Sequence, residues 1–79
     1  MIPTEKVTAL IEFGLPGAQV QVEDLTGTSD HFRATIVATQ FAGKSRIERH
    51  QMVYAVLQEE MKGAIHALSL TTKTPEEKP

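Results

Sequence analysis

Cysteine is absent from this 79-residue chain, which removes a disulfide framework, a thiolate nucleophile, a zinc ribbon and a self-supplied cysteine-ligated iron–sulfur site. Soft-metal chemistry would need thiols from another molecule. No stretch approaches the roughly 18 consecutive apolar residues of a membrane-spanning helix, and the start, MIPTEKVTALIEF, has no basic region leading into a long apolar run. A soluble, cytoplasmic protein is expected. A dominant charge is lacking too: eight basic against ten acidic residues leave a net −2, which argues against strong non-specific attraction to nucleic acid while leaving room for a local basic patch. Aromatic residues make up 5% of the chain, too few for base-stacking platforms.

What remains suffices for one small domain with one thin core. The ending TTKTPEEKP combines prolines with alternating charge and almost no apolar content, so a folded domain over residues 1–72 and a flexible tail over 73–79 are expected.

Val7, Leu10 and Ile11 recur at helical spacing between Thr4, an expected N-cap, and Gly14, an expected C-cap. From Ala18 to Asp24 the apolar Ala18, Val20 and Val22 alternate with polar neighbours, the period of a half-buried strand. Residues 25–30 read as a loop. Phe32, Ala34, Ile36 and Ala38 then share one face of a second strand, which pairs antiparallel with the first. A glycine turn follows, with room for a short helical turn. Ser45 and Glu48 then stand at capping-box spacing, predicting a long helix from Ser45 to about Met61 or Lys62, ended by Gly63. Its buried stripe is expected to carry Ile47, His50, Tyr54, Leu57 and Met61. IHALSLT supplies the third strand. The order α-β-β-α-β predicts an α+β fold with helices on one face of a three-stranded mixed sheet.

The helix between the second and third strands marks a parallel crossover, and adjacent parallel strands begin at the same end, with axes about 5 Å apart. His31 and His66 then share one rim. His50, on the helix stripe, reads as a packing residue. His31, beside Asp30, is expected to be exposed, while His66 reads equally as a core residue and as a ligand. Neutral imidazole is a good ligand for iron, zinc or copper, and two histidines can replace two cysteines on one iron of a two-iron, two-sulfur cluster. Two ligands cannot hold such a cluster alone, so a thiol-bearing partner is required. A plain zinc site from His31, His66 and Asp30 is the self-contained alternative. An independent enzyme is not expected, because Ser29, Asp30 and His31 are sequence neighbours rather than an arranged triad.

FAGKSRIERHQMVYAVL, followed by IHALSL and TP, resembles the BolA-like family from about Val7 to Pro75. The F-x-G-x-S turn is Phe41, Gly43 and Ser45; the helix carries Arg49, His50, Val53 and Tyr54; and the family's C-terminal histidine falls on His66. DHF before the second strand is similar to the subgroup with histidine in that loop. The resemblance implies a fold like a class II KH domain and partnership with a monothiol glutaredoxin. It also implies a shared [2Fe-2S] cluster in iron handling or redox regulation. His66 would ligate the cluster with the partner's cysteine and a glutathione thiol, and His31 is the candidate second ligand. A weak homodimer is compatible with the same reading.

Some family members are described as transcriptional regulators, which supplies an alternative: nucleic-acid binding through Arg33, Lys44, Arg46 and Arg49. Against it, FAGKSR lacks the G-x-x-G loop with which KH domains clamp a backbone.

Overall fold

Pro3, rather than Thr4, caps the first helix. Its extended backbone presents the carbonyl that accepts from the N–H groups of Lys6 and Val7, the position an N-cap occupies. In the computed structural model, which describes residues 1–77, helix α1 spans Thr4–Gly14 and buries Val7 and Ile11 one turn apart. Gly14 is its last residue and Leu15 its C-cap, one position beyond the sequence expectation.

Strand β1 (Gln19–Asp24) and strand β2 (His31–Val37) form the expected antiparallel pair, with Gln19 opposite Val37 and Asp24 opposite Phe32. A single 3-10 turn at Thr39–Phe41 drops the Phe41 ring into the core. Helix α2 (Arg46–Val56) opens with the predicted capping box: Ser45 Oγ accepts from the Glu48 N–H and Glu48 Oε1 from the Ser45 N–H. Strand β3 (Ala67–Lys73) pairs parallel to β2, giving the order β1-β2-β3. Phe32, Ala34 and Ile36 on β2 face the helices, where they meet Val7 and Ile11 of α1 and Val53 and Leu57, from α2 and its C-cap. Each large side chain buried this way contributes about 1.5–3 kcal/mol.

Three further expectations need correction. Helix α2 stops at Val56 rather than near Met61; the chain then turns and tightens into a 3-10 turn at Glu60–Lys62. Leu57, the C-cap of α2, and Ile65, just beyond the turn, are both buried in the core. The buried stripe is also rotated. Val53 and Leu57 are fully buried, whereas Ile47 is 71% and Tyr54 39% exposed. The same phase sets Val56 against Gly14, so closely that a Cβ there would lie 2.5 Å from a Val56 methyl.

The expected tail at 73–79 is the third. Lys73 belongs to β3 and Thr74 is buried, while Glu77 receives two bonds from Arg49, at 2.7 and 3.1 Å. A tertiary ion pair fastens a segment whose composition looks solvated. Lys78 and Pro79, the end of that expected tail, lie outside the described residues.

Candidate metal centre

One carboxylate shapes the loop between β1 and β2. Asp24 Oδ1 accepts from the main-chain N–H of Gly27 at 2.9 Å and Thr26 at 3.3 Å, and Oδ2 from that of Ser29 at 3.0 Å. Gly27 and Ser29 have φ of 77° and 60°, a left-handed backbone that glycine adopts freely and serine only at a cost, which the Asp24 bond offsets. The loop therefore delivers Asp30 and His31 along a defined path. Asp24 escaped the sequence reading, although an aspartate leading into T-G-T-S is the signal of a side-chain-capped turn.

His31 opens β2 opposite Ala67, so His66 stands one residue ahead of the parallel ladder at the same end of the sheet. The two rings lie 5.0 Å apart, centre to centre, and are tilted by 50°. The main-chain carbonyl of Asp30 accepts from the N–H of His66 at 2.7 Å and of Ala67 at 3.1 Å, tying the start of β3 to the loop. The Asp30 side chain, with Oδ1 2.9 Å from His31 Nδ1, holds the His31 ring. The Thr28 hydroxyl donates to the same oxygen, and these two bonds, Thr28 first, lower the Asp30 pKa below its usual value.

Of the two readings of His66, core residue and ligand, the structure removes the first: the residue is exposed. His31 is partly exposed. Among the described residues the His66 ring has no hydrogen-bond partner, so both its nitrogens are available. The spacing suits a shared ion, since metal–nitrogen bonds of about 2.0–2.1 Å in tetrahedral geometry put two imidazole centres about 5 Å apart. His31 and His66 are the residues that could hold one. The self-contained zinc site does not form, because no group of three such ligands converges among the described residues and Asp30 addresses His31 instead.

His50 is half-buried and lines a shallow groove with Leu70, Thr71 and Thr72, away from the rim. The Ser29 hydroxyl turns toward Asp24 at 3.4 Å, not toward an imidazole.

The four basic residues of the nucleic-acid alternative are not gathered. Arg33 lies on the open face of the sheet, 3.6 Å from Glu23. Arg49 is drawn inward, only 12% exposed, where it donates to the carbonyls of Phe41, Lys44 and Thr72, pairs with Glu77 and lies over the Phe41 ring. Only Lys44 and Arg46 remain exposed at the start of α2.

A sheet of this topology with a two-histidine rim defines a small α+β module built to present side chains at one edge, and its sequence matches a known pattern. Residues 16–77 match the family model for BolA-like protein, and the chain belongs to that family. Among relatives, the UV-induced protein uvi31 of Schizosaccharomyces pombe is 36% identical over 78 residues, covering 96% of this chain and 76% of that one. BolA1 from Arabidopsis thaliana superposes with a TM-score of 0.88 at 31% identity, over 96% of this chain and 95% of the other. Yeast Fra2 does so with a TM-score of 0.81 at 31% identity, over 96% and 83%. The mammalian relatives named BolA-like protein 1 are longer, and the aligned segment spans 36% of their length. No helix among the described residues is long and apolar enough to cross a membrane.

Proposed function

We propose that this protein completes a [2Fe-2S] cluster begun by a monothiol glutaredoxin, supplying His66 and His31 beside the partner's cysteine and a glutathione thiol. One observation carries the reading: an exposed and a partly exposed imidazole 5.0 Å apart on a chain that has no cysteine. Membership of the BolA-like family supports it. Such a cluster, when bound, supplies one-electron chemistry and lability toward transfer, suited to iron handling and redox regulation in the cytoplasm. The chain's own part is to orient. β2 and β3 set the spacing of the rings, the Asp30 carbonyl fixes the entry to β3, and the exposed rim lets a partner approach without displacing the core.

The test is visible circular dichroism of the chain mixed with cluster-loaded glutaredoxin and glutathione, for wild type, His31→Ala and His66→Ala. A spectrum unlike that of glutaredoxin alone is expected for wild type and should be lost in His66→Ala, with His31→Ala shifting its bands. Wild-type spectra in both variants would remove these histidines as ligands.

A further inference from the structure

A neutral imidazole has one N–H and one lone pair, and which nitrogen holds which decides where it can bind a metal. At His31 the choice is not left to solvent. Nδ1 lies 2.9 Å from an Asp30 oxygen, the Thr28 hydroxyl also donates to that oxygen, and an aspartate carboxylate, ionised at neutral pH, can only accept. Nδ1 must therefore donate. Nε2, at the far side of the ring, keeps its lone pair. The same residue acts on the second histidine through its backbone, its carbonyl accepting from the His66 N–H at 2.7 Å.

We propose that Asp30 is the positioning residue of the rim: its carboxylate selects the His31 tautomer with Nε2 open to a metal, and its main-chain carbonyl seats His66 beside it. The proposal rests on the reading of the rim as a metal site. Asp30 itself ligates nothing. Its place is that of the outer carboxylates that orient metal-binding histidines elsewhere and raise their basicity. His66, with no such partner among the described residues, adapts its tautomer to whatever docks. The rim thus combines one pre-set nitrogen with one adjustable nitrogen.

The first experiment needs neither cluster nor substitution. Long-range proton–nitrogen NMR correlation on the free, nitrogen-15-labelled chain, well above the ordinary histidine pKa of about 6.5, reads which ring nitrogen carries the proton. His31 is expected as the Nδ1–H form. His66, an internal control, should show mainly the Nε2–H form that unconstrained imidazole favours. In Asp30→Ala, His31 should come to resemble His66. A wild-type His31 in the Nε2–H form, or a tautomer unmoved by the substitution, overturns the role of Asp30 whatever the cluster does.

The second experiment challenges the mixed glutaredoxin complex with a chelator, where Asp30→Ala should speed cluster loss by about 10-fold or more. Spectra that respond to His31→Ala but not to Asp30→Ala, with unchanged loss rates, overturn the positioning role alone. Spectra indifferent to both histidine variants overturn the metal reading, and the NMR result then stands as a property of a rim that serves something else.

Discussion

Arg49 and Glu77 show how much one pair of side chains can decide. The guanidinium satisfies three main-chain carbonyls and grips Glu77 with two nitrogens, and the Thr74 N–H adds a third donor to that carboxylate. These bonds, with Arg49 the larger cause, pull the Glu77 pKa from 4.5 to about 2. The unfolded chain therefore takes up this proton more readily than the folded one. The stability supplied by the pair is whole above pH 4.5 and disappears as pH falls toward 2. Glu77→Gln should lower stability at neutral pH and flatten its dependence on pH across that window, as read by urea unfolding at a series of pH values. A slope equal to that of wild type would mean that the pair contributes nothing. Glu77 is about half exposed, 48%, so added salt should narrow the gap between the two proteins.

For whole elements, the contact between α1 and α2 is the sensitive one. Gly14 lies in a helix, where alanine would ordinarily gain about 1 kcal/mol. Here the added methyl would meet Val56 methyls at 2.5 and 2.7 Å, and a β-branched side chain has little freedom to move aside. Overpacking of this kind costs about 1–3 kcal/mol, so Gly14→Ala should lower the melting temperature. Combining it with Val56→Ala should recover part of that loss, so the double variant is more stable than the sum of the two single effects. Simple additivity would show that the helices are not held apart by this contact.

The same contact explains what could be read in advance. Strand alternation was legible because every second residue of β1 and β2 meets either the helices or solvent, and the capping box at Ser45 and Glu48 is a local signal. The rotational phase of α2 was not, because Ile47 and Tyr54 satisfy the helical period as well as Val53 does, and tertiary contacts such as that of Val56 with Gly14 choose between them. The shared rim of His31 and His66 followed from topology. The part played by Asp30 did not, since its carbonyl reaches across to a strand that begins 37 residues after the loop's end, Asp30 to Ala67.

Considered as a molecule, the chain offers imidazole nitrogen but no thiol. Reconstitution of the chain alone with ferric iron and sulfide should therefore give no stable two-iron, two-sulfur spectrum, and adding a monothiol glutaredoxin with glutathione should bring it about. Omitting glutathione should abolish it again. A stable spectrum from the chain by itself would contradict the division of donors proposed above.

Parallel pairing also insulates the gap between the imidazoles from the connection that joins β2 to β3. Neighbouring strands keep a separation of about 4.8 Å whatever loops lie between them, so residues could be gained or lost around Glu60–Lys62 with the rings still within reach of one atom. Sliding β3 along β2 by a single residue would do the opposite, turning the His66 ring to the far side of the sheet. Tolerance to length and intolerance to register are thus built into the same pair of strands.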